Sequence, residues 1–267
     1  MPTMIMRVLR RRVRGTIRSA VWVALALPLS AGPGGAGEIR LLSAAAMQSV
    51  FKDVAGDFER TTGHKLVISY GTIGGISQRL QRAEEADFVI GSSLSMPVLA
   101  REGRIAPDSL VTICRTSIGV VVPLGSPKPR IVSTDDFRQA LLAAKVLVYA
   151  DPVRGGAAGV HIAKVLDRLG IAERLKSQIT LGAGGDVTEV TVAQGDGALG
   201  MTQISEIVGK TSAAFVGPLP AELQNDTVFV GGLPAGAKPS DAVSAFVAFL
   251  KSPTAVAAIT ARGMQLD

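Results

Sequence analysis

The sequence predicts an α/β protein with mostly parallel strands. Three observations point there. From Glu38 onward short apolar runs alternate with segments of helical period, glycine-rich turns separate many of them, and 47% of the 267 residues are hydrophobic, enough for a substantial core. This length fits one large or two mid-sized domains, because single cores stop growing at roughly 250 to 300 residues.

Residues 39–44 (IRLLSA) read as the first strand. Met47, Val50, Phe51, Val54 and Phe58 then recur at i, i+3, i+4, i+7 and i+11, one face of a helix that Gly63 closes. Residues 65–70 are the second strand, residues 71–75 (GTIGG) a turn, and Ile76, Leu80 and Ala83 mark the next helix. Residues 87–93 supply a strand and loop, and Pro97 suits the first turn of a short helix. Residues 110–123 (LVTICRTSIGVVVP) form an unusually long apolar run, able to cross between two lobes, and the rhythm restarts after it. A helix near 136–144 leads to a strand at 146–150. The loop 151–159 (DPVRGGAAG) opens a helix through Val160, Ala163, Leu166 and Leu169, which Gly170 stops. Residues 178–185 precede a helix whose Asp186 and Glu189 stand three apart, a capping-box pattern. Residues 198–203 and 213–218 read as strands, and residues 227–234 as a second apolar crossover. Ser240 caps a helix carrying Val243, Phe246, Val247 and Leu250 on one face, and Pro253 starts the last. The two long runs bracket a central segment. They predict a discontinuous lobe of residues 37–114 plus 228–267 around an inserted lobe of residues 115–227.

Residues 1–36 read as a signal peptide: an arginine-rich start, an apolar stretch over residues 20–29 (AVWVALALPL), and small residues that allow cleavage after Ala31 or Ala36. The stretch is about half of the roughly 20 residues a spanning helix needs, so the mature protein is expected to be exported and soluble. The net charge of +6 belongs to this leader. Six of the 28 basic residues lie in it with no acidic ones, leaving 22 basic residues against 22 acidic. A neutral remainder with two Tyr and no Trp, the single Trp22 lying in the leader, offers neither the electrostatic footprint nor the stacking platforms of a nucleic-acid binder.

Enzyme constellations are thin. His64 sits at a helix-to-strand corner and is expected in solvent; His161 lies in a helix behind a glycine loop; Cys114, the single cysteine, reads as a small core residue. No His/Cys/Asp cluster has ligand spacing, so no metal or other cofactor is assigned, and no G-x-S-x-G, P-loop or G-x-G-x-x-G occurs. Several helices, however, begin directly after a strand and small uncharged residues: Ala45-Ala46, Ile73-Gly74-Gly75, Ala157-Ala158-Gly159 and Asp186-Val187. Helix N-termini leave about four N–H groups unpaired and carry partial positive charge, so several converging ends would hold an anion without Lys or Arg. Ordinary βα turns explain the same pattern equally well.

LLSAAAMQSVFKDVAGDFERTTGHKLVISY, EEADFVIGSS, ADPVRGGAAGVHIAKVLDRLG, GGDVTEV and FLKSPTAVAAITARGM together resemble, in order and over nearly the whole mature chain, the periplasmic molybdate-type solute-binding proteins of ABC transporters. The resemblance implies a periplasmic-binding-protein fold: two α/β lobes joined by two crossover strands, with a ligand clamped in the cleft. It places the family's anion contacts on Ala46, Ile73, Ala158, Val187 and Gln203. The family has serine hydroxyls at the first two positions and a tyrosine hydroxyl at the last, so part of that chemistry is absent here. Thr72 or Ser69 can supply one hydroxyl if the loop is offset by a residue. Hydrogen bonds to a charged partner contribute about 1.5 to 3 kcal/mol each, so losing two or three predicts oxyanion binding weaker by about a hundredfold to a thousandfold or more.

The expected ligand set is Ala45, Ala46, Thr72, Ile73, Gly74, Ser92, Arg154, Ala157, Ala158, Asp186, Val187 and Gln203. Ile73 and Gln203 favour a solute larger and less spherical than a tetrahedral oxyanion. Arg154 offers a guanidinium for a carboxylate, with a solvated loop arginine as the plain alternative; Ser92 and Ser93 either face the cleft or form a plain turn. The function expected is that of a monomeric periplasmic protein, no enzyme, that captures a small anion other than molybdate and delivers it to an ABC permease. A small organic carboxylate is the alternative ligand. Two other classes stay open: an exported enzyme with Asp186 or Glu206 as base, and the effector domain of a regulator.

Overall fold

A computed structural model describes residues 36–266 of the chain, so the predicted signal peptide, Ala36 apart, lies outside the described residues. The first part of the chain alternates β1 (Glu38–Ala44), α1 (Gln48–Thr62), β2 (Lys65–Gly71), α2 (Ile73–Gln81), β3 (Phe88–Ser92), α3 (Ser95–Arg101) and β4 (Val111–Thr116). After Ser117 it continues through β5 (Ile118–Pro123), α4 (Thr134–Ala143), β6 (Val146–Ala150), α5 (Ala157–Arg168), α6 (Ala172–Leu175), β7 (Ile179–Gly182), α7 (Val187–Gln194), β8 (Ala198–Gln203) and β9 (Ala213–Pro218). It closes with β10 (Thr227–Gly232), α8 (Asp241–Phe249) and α9 (Pro253–Ala261). One five-stranded sheet has the order β2-β1-β3-β10-β4, the other β7-β6-β8-β5-β9. Among the described residues no single helix is long and apolar enough to cross a membrane.

The expectation of mostly parallel strands is corrected. β1 runs parallel to β2 and β3, and β6 parallel to β7 and β8. β10 runs against β3 and β4, and β5 against β8 and β9. The antiparallel pairs have one origin: β5 and β10 each follow a crossing from the other sheet and enter it opposite to their neighbours. The long run 110–123 is therefore two strands, one in each sheet, and both crossings meet where Ser117 Oγ donates to Asp226 Oδ1 at 2.6 Å.

Each sheet has its own core. Behind the first, Phe58, Phe88 and Phe51 surround Phe246 of α8 with ring centroids 5.6–5.9 Å apart, pairs that add about 0.5–1.5 kcal/mol each beyond burial. Cys114 is buried in this core against Met47, with 3.7 Å between sulfurs. The second core gathers Phe137, Leu141, Leu147, Ile162, Leu166 and Met201.

Local details differ from the sequence reading in five places. α2 begins at Ile73, inside the predicted turn, because the Thr72 hydroxyl accepts from the Gly75 N–H at 3.0 Å and caps it; Ala83 stands after the helix at φ 59°. α4 begins at Thr134, under a full Ser133/Asp136 capping box. α5 buries Ile162, Val165 and Leu166 rather than the row through Val160 and Ala163, since close contact of Gly159 with β6 sets its rotation. Asp186 makes no side-chain cap on α7; its carboxylate accepts instead from the N–H groups of Ala183 and Gly184 and ties up the preceding loop. His64 is buried, not solvated, with Nδ1 accepting from the Gly37 N–H at 3.0 Å.

Candidate functional site

Carboxyl ends of parallel strands from both sheets meet around one small cavity of about 40 Å³. The first sheet contributes Ala44, Ala45 and Ala46 after β1, Gly71, Thr72 and Ile73 after β2, and Phe229. The second contributes Ala150, Gly156, Ala157 and Ala158 from β6 and α5, Gly184 and Gly185, and Thr202, Gln203 and Glu206 at the end of β8. Among the described residues, no Lys, Arg or His lines it. In the first turns, the N–H of Ile73 on α2 and those of Ala157, Ala158 and Gly159 on α5 have no intrahelical partner, and these are the groups able to donate there in place of cationic side chains; Gly74 and Gly75 of α2 are already engaged.

Glycines let these backbones approach. A Cβ on Gly159 would stand 2.0 Å from the Ala150 carbonyl oxygen, so α5 starts hard against the end of β6. Gly159→Ala is expected to lower stability by about 1–3 kcal/mol, read as a shift of the urea midpoint at unchanged slope. Gly184 and Gly185 take φ of 99° and 77° and pass within contact of Thr72 and Ala45, closing the chamber from the second lobe.

The two sides touch across the mouth. The Gly74 N–H donates to the Gly155 carbonyl at 3.1 Å, and the Thr72 hydroxyl donates to the Arg154 carbonyl. Deeper, Ser205 Oγ donates to the Ala46 carbonyl at 2.9 Å and Gln203 Nε2 to Thr227 Oγ1 at 2.9 Å. At the rear, Arg262 after α9 holds Asp53 of α1 and donates to the Val208 carbonyl at 3.0 Å.

Two side-chain acceptors face the chamber. Gln203 is 5% exposed and its Oε1 has no hydrogen-bond partner among the described residues, a state that costs about 1–3 kcal/mol unless a ligand or water donates to it. Glu206 is buried, with the Thr202 hydroxyl donating to its carboxyl. Burial pushes that carboxyl up to about 7; bonds from Thr202 and the Gln203 N–H pull it down, while Glu189 and Asp186 add to the rise.

Of the expected ligand set, Ala45, Ala46, Thr72, Ile73, Ala157, Ala158 and Gln203 come together around the cavity. Gly74 lies at the mouth contact instead, and Val187 is buried behind the chamber. Arg154 is exposed and Asp186 is occupied by its own loop. Ser92, paired with Ser95, lines a neighbouring cavity of about 430 Å³, which shares Ile73 and Ala157 with the first and carries His161 and Lys164. Sequence reasoning missed Gly184, Gly185, Thr202 and Phe229 as lining residues and named Glu206 only as a possible base. The run GAGG at 182–185 was the one available signal for the loop.

The profile described as bacterial extracellular solute-binding protein matches residues 39–265. The molybdate-binding protein ModA of Azotobacter vinelandii is 30% identical over 259 residues, 93% of this chain and 98% of that one. An aconitate isomerase of a Pseudomonas species is 29% identical over 233 residues, 85% of this chain and 87% of that one. Among solved structures, the periplasmic molybdate-binding protein of Azotobacter vinelandii matches with a TM-score of 0.71 at 22% identity, over 86% of this chain and 99% of that one. At that identity the structural match speaks for the fold, two lobes of mixed sheet and helix.

Proposed function

The chain belongs to the bacterial extracellular solute-binding proteins, as a divergent member of their molybdate-binding type, and from that membership we propose that it captures a small organic carboxylate in the periplasm and presents it to an ABC permease. Residues 37–114 with 228–267 would form one lobe and residues 115–227 the other, closing on the ligand as a monomer. Helix N-termini from both sides hold the carboxylate only when the lobes are closed, so binding shifts that equilibrium. No covalent step is required.

The observation that carries the choice of ligand is the pair of acceptors in the chamber. Molybdate and sulfate at neutral pH present acceptors in every direction and would meet Gln203 Oε1 and the Glu206 carboxyl unfavourably. An organic acid can turn its carboxylate to the helix ends and a hydroxyl or protonated group to Gln203. Calorimetry with malate, succinate, citrate, molybdate, tungstate and sulfate should find at least one carboxylate binding a hundredfold tighter than any oxyanion. Submicromolar molybdate binding would overturn this reading.

A second reading is favoured by the carboxyl itself. The isomerase relative's name suggests proton removal and return on an unsaturated carboxylate, a step for which the chamber-lining Glu206 would serve as base. Incubation with trans-aconitate followed by proton NMR decides between the two: new vinyl signals of the cis form mean isomerisation, and an unchanged spectrum with binding means capture alone.

A further inference from the structure

We infer that this protein takes up its anion together with one proton, held on the Glu206 side chain at the floor of the cleft. The inference rests on the carboxylate-capture reading and deepens it. Glu206 lines the chamber together with Thr202 and Gln203, so a carboxylate bound there lies beside the Glu206 side chain. Two like charges sharing a buried site cannot both persist, because little water remains to screen them.

Among the described residues no cationic side chain lines the chamber to offset that repulsion, and the helix ends are engaged by the ligand itself. The residues contributed by β1, β2, α5 and the Gly184-Gly185 loop carry no titratable side chain, and among the described residues Glu206 is the one ionisable group lining the chamber. The charges that act on it come from the α7 side, Asp186 and Glu189, both negative; Lys210 is paired with Glu189. Burial and these neighbours already favour the protonated form near neutral pH. A bound anion adds a further negative charge at shorter range and completes the protonation.

The proton also turns a repelling contact into a binding one. An ionised Glu206 only accepts; a protonated one still accepts from the Thr202 hydroxyl and gains an O–H to donate to the ligand or to the unpartnered Gln203 Oε1. Gln203 is a separate witness to the same need, since a buried acceptor in an anion site asks for a proton that neither the helix ends nor a fully ionised ligand brings.

The test is calorimetry of malate binding at pH 6 and pH 8, each in two buffers of different ionisation enthalpy, which counts protons taken up. Near one proton per malate is expected at pH 8 and near zero at pH 6, with affinity falling about tenfold per pH unit above neutrality. Glu206→Gln should bind malate with no uptake and equal affinity at both pH values. Tight binding with no uptake at pH 8, or uptake that persists in Glu206→Gln, overturns the inference and leaves carboxylate capture standing. Failure of malate, succinate and citrate alike to bind at either pH overturns the capture reading and this inference with it. The pH dependence of wild-type affinity tests the point even if the variant folds poorly.

Discussion

Gly74→Ala is expected to leave the protein folded and to weaken ligand capture at least a hundredfold. Gly74 sits in the first turn of α2 with its N–H on the Gly155 carbonyl across the mouth. A Cβ there would meet the Gly155 Cα at 2.8 Å and the Arg154 carbonyl oxygen at 3.0 Å. Both are backbone atoms, so no rotamer change makes room, and the lobes must stay apart. Held open, the cleft offers the ligand donors from one lobe only. Losing two hydrogen bonds to a charged partner at about 1.5–3 kcal/mol each is a hundredfold or more in affinity. The fold itself does not suffer, because Ala is the better helix residue by about 1 kcal/mol. Calorimetry and thermal melting separate the two effects. An affinity within threefold of wild type would mean that closure does not bring these backbones together.

Glu206→Gln is expected to stabilise the protein by about 3 kcal/mol at pH 8 and by little at pH 4. The Glu206 carboxyl stands at about 7 in the folded chain against 4.5 as the ordinary value, raised chiefly by burial. Between those two values the native state binds more protons than the unfolded one, so stability falls as pH rises from about 4.5 to 7 and stays low above. Glutamine keeps the acceptor for the Thr202 hydroxyl and has nothing to ionise, so that loss disappears. At roughly 2–4 °C per kcal/mol for a chain of this size, the melting temperature at pH 8 should rise by about 6–12 °C. Unfolding curves of both proteins from pH 4 to 9 measure it. Parallel pH profiles would mean that the carboxyl reaches solvent in the folded state.

Much of the fold was legible because apolar period encodes it directly. The row from Met47 to Phe58 is α1, and VLVYA is a buried strand of the second sheet. Strand direction was not legible: residues 110–123 are apolar whichever way they run, and only the double crossing between sheets makes β5 and β10 antiparallel. The rotation of α5 was missed because a glycine, which has no hydropathy to count, makes its closest contact. The backbone part of the site was readable from βα junctions at Ala45, Ile73 and Ala157, where donors exist whatever the side chain. Side-chain direction was not: nothing in SEI at 205–207 shows that the carboxyl turns inward, and nothing in PVRGG that Arg154 turns outward.

The bond between Ser117 and Asp226 fastens the two crossings to each other where the chain passes between sheets. Two strips fastened side by side can bend together far more easily than they can shear or twist apart, so they define an axis, as the pins of a door do. The opening that the proposed function requires would then have in effect one coordinate. Under the proposed function, a permease would need to sense only a single angle to tell a loaded molecule from an empty one, whatever lies in the chamber.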